Sequence, residues 1–184
     1  MMMRIMMKKK VFAVVVFVWA ALLAAGTANA AKAPDMPDVF PAFSSQNLEG
    51  EPVTSALFAD EKLTMVNIWT TWCPPCVNEM PDLGVLGRSM PEGSQLVGIV
   101  LDVEDPEEDV EALDDANKIL RKSKANFLQI LPVDAMEPVL GKVAAIPTTI
   151  FVNSQGKIVG RPLVGSRSEA AYRSEVEHIL KSMQ

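Results

Sequence analysis

The sequence contains only two cysteines, Cys73 and Cys76, and two prolines separate them. The mostly apolar residues 63–70 before the pair predict a central strand, and residues 77–90 after it predict a helix. A cysteine at a helix start lies near unpaired backbone N–H groups and the positive end of the helix dipole, which lowers the pKa of its thiol. The spacing therefore predicts an attacking thiolate at Cys73 and a more shielded resolving thiol at Cys76, on the same helical face.

The two prolines also favour a helix start at this point. Pro74 and Pro75 fit the first helical positions, where a missing N–H is tolerated. Because neither proline can donate a hydrogen bond, we expect the amides of Cys76 and Val77 to face the Cys73 sulfur.

Other uses of the cysteine pair remain open on the motif alone. A structural disulfide that closes so short a loop would constrain the unfolded chain little. A zinc site would need further ligands, but the sequence has no second CxxC, and its one histidine, His178, lies near the C-terminus. A copper(I) site formed by two thiolates is chemically possible. Among these uses, the CxxC spacing favours redox chemistry.

The first thirty residues have the composition of a secretory signal peptide. Basic residues from Arg4 to Lys10 precede an uninterrupted apolar run of fifteen residues, 11–25, and small residues follow up to Ala30. This order predicts cleavage after Ala30 and a periplasmic protein. The alternative is an uncleaved membrane anchor, although fifteen residues fall short of the roughly 20 that a spanning helix needs.

The charge of the predicted mature chain limits its partners. Cleavage would leave 154 residues with 13 Lys and Arg against 23 Asp and Glu, a net charge of −10. Such a charge disfavours nucleic acids and anionic membrane surfaces. The length suits one domain with its own core, which we expect to be a monomer. Disulfides persist outside the cytosol, so a chain with a single CxxC pair is expected to act on the disulfides of other proteins.

The remaining pattern predicts a mixed sheet with helices on both faces. The proline-rich residues 31–41 indicate an extended leader, so the folded domain is expected to span residues 42–184. Residues 42–46 and 51–54 flank a turn and predict an N-terminal β-hairpin. The later predicted elements are strands at 95–102, 127–131, 148–152 and 157–164, and helices at 105–124, at 137–143 and from Ser168 onward.

Three segments make the sequence resemble the thioredoxin superfamily, and within it the TlpA/ResA/DsbE-like exported thiol–disulfide oxidoreductases of bacteria. The resemblance spans about residues 38–184 and implies an α/β, thioredoxin-like fold in which residues 105–124 form a helical insertion. It also implies a cis peptide bond before Pro147, beside the active site, with the Ile146 backbone able to pair with a substrate strand. The three segments are residues 67–81, 146–149 and 153–157.

The resemblance also identifies Glu79 as a site residue. Exported members carry an acidic residue one turn after the second cysteine, whereas cytosolic thioredoxins have a buried Asp where this chain has Asn67, which cannot take a proton. Glu79 follows Cys76 by one turn, so it could accept the Cys76 proton or tune the thiol pKa values. The alternative is an ordinary acidic residue at a helix start. Trp72 is expected to shield the dithiol and contact the substrate, and Trp69 to lie in the core.

The function implied by the resemblance is the reduction of disulfides in other exported proteins, with no cofactor or metal beyond the Cys73–Cys76 pair. A membrane thiol transporter would supply the electrons, and family analogy suggests cysteines of apocytochrome c or a copper-site assembly protein as substrates. A disulfide oxidant or isomerase remains an alternative, because related dithiols span about −270 to −120 mV. A Cu(I)-binding metallochaperone is a further alternative.

Overall fold

A five-stranded mixed sheet lies at the centre of the structure, a computed structural model that describes residues 35–184. The predicted signal peptide and the predicted leader up to residue 34 lie outside the described residues. In chain order the strands are β1 (Ser44–Gln46), β2 (Pro52–Thr54), β3 (Leu63–Trp69), β4 (Ser94–Val100), β5 (Leu128–Ile130), β6 (Thr148–Asn153) and β7 (Ile158–Val164). The helices are α1 (Pro74–Gly87), α2 (Val110–Ser123), α3 (Glu137–Leu140) and α4 (Glu169–Ser182), with short 3-10 helices at Ser55–Asp60 and Asp134–Met136.

The main sheet has the strand order β5-β4-β3-β6-β7. Strands β5, β4 and β3 run parallel to one another, whereas β6 is antiparallel to β3 and β7 is antiparallel to β6. Strands β1 and β2 pair with each other as a separate antiparallel hairpin. The mixed sheet, the N-terminal hairpin and the element order that the sequence predicts are therefore confirmed. Within residues 35–184, no helix combines the length and the apolar content that crossing a membrane requires.

Strand β3 is buried along its whole length because both faces of the sheet are covered. Its side chains alternate between two cores, as the period of a strand requires. Met65 and Trp69 belong to the core that contains residues of α1 and α4, whereas Val66 and Ile68 belong to the core on the opposite face. Asn67 therefore points to the same face as Met65 and Trp69, the face on which α1 packs.

Aromatic side chains close the second core near the N-terminal hairpin. Phe40, Phe43 and Phe58 are buried and pack with their ring planes inclined by 60–79° and their ring centroids 5.2–6.1 Å apart. Phe40 belongs to the segment predicted as an extended leader, and its amide donates to the Gly156 carbonyl at 2.8 Å. The end of that segment thus lies against the turn between β6 and β7.

Helix α2 begins at Val110, five residues later than the sequence suggested. Pro106 disfavours a helical conformation of the residue before it, Asp105. The Asp109 carboxylate accepts hydrogen bonds from the amides of Glu104 and Asp105, which holds this segment as turns. Side-chain acceptors of this kind compete with helical hydrogen bonding, so the acidic residues form the approach to the helix and lie outside it.

We predict that Gly84→Ala will destabilise the protein, although alanine favours a helix by about 1 kcal/mol over glycine. A Cβ atom at Gly84 would lie 2.7 Å from the Ser123 carbonyl oxygen and 2.9 Å from that of Lys124. Both atoms belong to the backbone at the end of α2, so relief of the clash requires the two helices to separate. We expect the free energy of unfolding, measured in urea, to fall by about 1–3 kcal/mol.

Gly87→Ala is the matched control in the same helix. A Cβ atom there would first meet the Phe127 side chain at 3.4 Å, which is ordinary contact. Because no clash opposes the helix preference of alanine, we expect Gly87→Ala to leave the free energy of unfolding unchanged or to raise it by up to about 1 kcal/mol. Equal losses at the two positions would contradict the assignment of the close approach to Gly84.

Candidate active site

The end of β3 and the start of β6 bring the two predicted site segments together. The strands are antiparallel, with Ile68 paired to Thr148, so the chain leaving β3 towards Cys73 passes the chain that enters β6 from Pro147. The Cys73 Sγ atom lies 3.8 Å from the carbonyl oxygen of Ile146. The Ile146–Pro147 peptide bond is cis, as the resemblance implied.

Cys73 and Cys76 form a disulfide at the start of α1, with their Cα atoms 5.3 Å apart. Cys73 is the N-cap residue, and the two prolines occupy the first helical positions. The Cys76 amide donates to the Cys73 sulfur at 3.3 Å, as expected. The expectation for Val77 is wrong, because its amide donates to the Cys73 carbonyl at 3.0 Å and so makes the first hydrogen bond of the helix.

The two sulfur-bearing residues are both buried, but Cys73 retains 4% exposure and Cys76 none. The neighbouring Trp72 side chain is 70% exposed. At most a minor part of the indole surface can therefore cover the sulfurs, and most of it is free to meet a partner. Trp69, by contrast, is fully buried as predicted, and its indole N–H donates to Gln129 Oε1 at 3.0 Å.

Glu79 is a buried carboxylate with three hydrogen-bond donors. Its side chain is 2% exposed, and Oε1 accepts from Asn67 Nδ2 at 2.9 Å. Oε2 accepts from the Tyr172 hydroxyl at 2.9 Å and from the Arg167 backbone amide at 3.0 Å. The guanidinium of Arg167 bonds the carbonyls of its own segment, residues 164–166. The alternative, an ordinary acidic residue at a helix start, does not by itself account for the burial of this carboxylate or for its three donors.

Burial raises the pKa of Glu79 above its usual value, because the charged form loses hydration. The hydrogen bonds from Asn67, Tyr172 and Arg167 oppose this effect without cancelling it. The pKa of Tyr172 is also raised, first by its own burial and then by the neighbouring charge of Glu79. The tyrosine therefore stays protonated and acts as a donor, while the carboxyl group has a proton affinity closer to neutral pH.

Sequence reasoning missed most of the residues that surround Glu79. The sequence marks Asn67 only as a departure from cytosolic thioredoxins, and it does not mark Tyr172 as a site residue. Asn67 pairs with Thr149 across β3 and β6, and its Nδ2 donates to Thr149 Oγ1 at 3.2 Å. The one available signal was that Tyr172 is the only tyrosine in the sequence and places a hydroxyl among apolar residues.

A surface cleft of about 260 Å³ is lined in part by Glu79. Its walls come from α1 and from the segment that joins β7 to α4. Solvent in the cleft therefore comes close to Glu79, although the residue itself is only 2% exposed. The other lining residues are Asn78, Asp82, Ser166, Arg167 and Ser168.

Among residues 35–184, no three or more histidine, cysteine, aspartate or glutamate side chains lie together as a metal-binding group. His178 is exposed on α4.

Comparison with protein families matches the Redoxin family over residues 35–180. The chain is 28% identical to the thiol:disulfide interchange protein DsbE of Yersinia pestis over 78% of this chain and 72% of the relative. It is 24% identical to the sporulation thiol-disulfide oxidoreductase A of Bacillus subtilis, over 71% of this chain and 76% of the relative. A thioredoxin-family thiol:disulfide interchange protein from Chlorobium tepidum TLS has a similar crystal structure, with a TM-score of 0.63, 25% identity, and coverage of 78% of this chain and 97% of that chain.

These similarities agree with the geometry of the site. The Redoxin match includes both cysteines, Glu79 and Pro147, and the relatives are oxidoreductases of disulfides. The described fold is thioredoxin-like, with a mixed sheet flanked by helices and a small separate sheet at its N-terminal end. The chain therefore belongs to the Redoxin family and is a thioredoxin-like thiol–disulfide oxidoreductase of the DsbE/ResA type.

Proposed function

We propose that this protein reduces disulfides in other exported proteins through its Cys73–Cys76 pair. The observation that carries the proposal is the placement of the Cys73 sulfur at the start of α1 and 3.8 Å from the Ile146 carbonyl oxygen. The helix start stabilises a thiolate, and the neighbouring backbone can hold a substrate segment against it.

The exchange proceeds in two balanced steps from the reduced dithiol. The Cys73 thiolate attacks one sulfur of a substrate disulfide, which forms a mixed disulfide and releases the other substrate sulfur as a thiolate. Cys76 then loses its proton to Glu79 and attacks Cys73 Sγ, which releases the second substrate sulfur. The two released sulfurs take up the proton held by Glu79 and one proton from solvent, so the products are a substrate dithiol and the Cys73–Cys76 disulfide, and two electrons pass to the substrate.

Substrate binding is assigned to Ile146, Pro147 and Trp72. Among residues 35–184, no backbone hydrogen bond occupies the amide or the carbonyl of Ile146. Both groups are thus available to an extended peptide, which would pair with the backbone just before β6. The exposed Trp72 indole lies beside the same cysteine and can cover an apolar side chain of the substrate.

The proposed reaction takes place outside the cytoplasm, after export of the protein. The basic and apolar N-terminal residues support cleavage after Ala30 and release into the periplasm, where substrate disulfides persist. A membrane thiol transporter would return electrons to the protein. Haem-site cysteines of apocytochrome c and a copper-site assembly protein are the substrate candidates, and the protein would act as a monomer without a bound metal or cofactor.

Trapping in cells tests this function. We expect the full chain carrying Cys76→Ser to accumulate as mixed disulfides with exported proteins, because the second step cannot occur. Mass spectrometry of the trapped complexes identifies the partner, and an N-terminal peptide that begins at Ala31 will show the predicted cleavage. The matched control carries serine at both Cys73 and Cys76 and should trap nothing.

The reduction potential separates a reductant from an oxidant. We expect a value below about −200 mV, whereas a value well above it would favour an oxidant or isomerase and would contradict the proposed direction. Trapped partners confined to the cytosol would contradict export.

A further inference from the structure

A carboxylate just after β4 holds the loop that leads to the attacking cysteine. Strands β3 and β4 are parallel, with Trp69 paired to Val100, so the chain leaves both strands at the same edge of the sheet. Thr71 and Asp102 each lie two residues beyond that pair. The Thr71 amide donates to both carboxylate oxygens of Asp102, at 3.1 Å and 3.0 Å, and the Thr71 hydroxyl donates to Oδ2. Because hydrogen bonds to an ionised acceptor are strong, these contacts fix Thr71 against the end of β4.

The rest of the loop has few restraints of its own. Within the described residues, Trp72 makes no hydrogen bond, and 70% of its side chain is exposed, so packing restrains it little. The Thr70 hydroxyl is buried without a hydrogen-bond partner in the same part of the chain. Pro74 limits Cys73 to an extended conformation, with φ −92° and ψ 104°, but it does not fix the residues further back. The contacts of Thr71 are therefore the main polar restraint on how the loop enters α1.

The direction of the loop decides what the Cys73 sulfur contacts. Sγ accepts from the Cys76 amide at 3.3 Å and lies 3.8 Å from the Ile146 carbonyl oxygen. In the oxidised protein the disulfide also ties this sulfur to α1. Reduction removes that covalent link, so the sulfur then stays beside the amide only if the backbone before it is held. A thiolate that loses such a donor is less stable, and the pKa of its thiol rises.

We propose that Asp102 is a positioning residue for the Cys73 thiolate and that it acts through Thr71. Its carboxylate holds Thr71 in place, and this keeps the reduced Cys73 at the N-cap of α1, with its sulfur beside the Cys76 amide. The inference deepens the proposed function and rests on it, because it takes Cys73 as the attacking thiol. No contact between Asp102 and either sulfur is required.

The negative charge of Asp102 acts on the thiol in the opposite direction. A carboxylate near a thiol disfavours a second negative charge, so removal of the charge alone would lower the pKa of Cys73, whereas loss of the restraint would raise it. Two uncharged substitutions separate these effects. Asp102→Asn keeps one side-chain oxygen that can accept from Thr71, and Asp102→Ala keeps none. The difference between the two variants therefore reports on the restraint.

The other charged groups around the loop are the same in both variants. Asp102 and Trp72 line one cleft of about 440 Å³, and no lysine or arginine of the described residues lines it with them. Helix α1 adds Glu79, and the segment before α4 adds Arg167 beside it. Because none of these groups changes, their effect on the thiol cancels in the comparison. The other acidic residues of the cleft are Glu108, Asp109, Glu111 and Asp115.

A thiolate titration in the full chain carrying Cys76→Ser tests the proposal. Cys73 is then the only thiol, so the ultraviolet absorbance of the thiolate against pH reports on one group. We expect Asp102→Ala to titrate at higher pH than Asp102→Asn. Below both midpoints it should hold about threefold less thiolate, the equilibrium effect of a modest hydrogen bond. Equal midpoints, or a lower midpoint for Asp102→Ala, would overturn the proposal.

A second pair of variants replaces the first if Asp102→Ala does not fold. Thr71→Val removes the hydroxyl donor and leaves the charge of Asp102 in place, whereas Thr71→Ser keeps the donor. The valine variant should then titrate at higher pH than the serine variant, and equal midpoints would overturn the proposal. The titration needs no substrate. Failure of the Cys76→Ser protein to trap partners would therefore count against the proposed function, whereas equal midpoints in a protein that traps partners would count against Asp102 alone.

Discussion

Replacing Cys73 with serine will reduce insulin-disulfide reduction by dithiothreitol to the rate without enzyme, because a serine hydroxyl does not attack disulfides at neutral pH. Cys76→Ser should retain the first attack and lose turnover, so it should accumulate a mixed disulfide through Cys73. The structural basis is the Cys76 amide, which donates to the Cys73 sulfur and favours its thiolate, together with the complete burial of Cys76.

Non-reducing gels and mass spectrometry measure this difference directly. Each variant, with its remaining cysteine reduced, is mixed with insulin whose disulfides are intact, and the trapped complex is quantified. We expect strong trapping by Cys76→Ser and background trapping by Cys73→Ser. Equal trapping by the two variants would contradict the assignment of attacker and resolving thiol.

Glu79→Gln will slow disulfide exchange at neutral pH by about 10²-fold or more, the usual effect of losing a general base. Burial raises the pKa of Glu79, so the wild-type rate should fall as pH decreases through that pKa and the acceptor becomes protonated. The variant should lack this dependence. Its thiols should also titrate at lower apparent pKa values, because a neighbouring negative charge that disfavours the thiolate has been removed.

Stopped-flow exchange rates and alkylation rates against pH check both effects. Asp82→Asn is the matched control, since it removes a half-buried carboxylate from the same helix and cleft without touching the hydrogen bonds of Glu79. We expect it to leave the exchange rate within about twofold, the range of changes outside the acceptor itself. Superimposable profiles for wild type and Glu79→Gln would return Glu79 to a purely structural role.

The sequence alone predicted the elements whose cause is local. The CxxC pair with its two prolines marked the start of α1, because capping and the missing proline N–H groups act within one helical turn. The apolar residues of β3 predicted a strand buried on both faces, and the order of strands and helices followed from hydrophobic periodicity. The cis bond before Pro147 and the importance of Glu79 came from the resemblance to a family.

The tertiary structure alone decided what surrounds Glu79. Asn67, Thr149 and Tyr172 lie 12, 70 and 93 residues from Glu79 in the sequence, so no local pattern connects them to it. Only the register of β3 with β6 and the packing of α4 bring them together. The 70% exposure of the Trp72 side chain was likewise not predicted. The late start of α2, by contrast, has local causes in Pro106 and Asp109. Local chemistry fixes where a helix or strand begins, but the partners of a buried carboxylate are set by which elements pack against it, and that is a property of the whole fold.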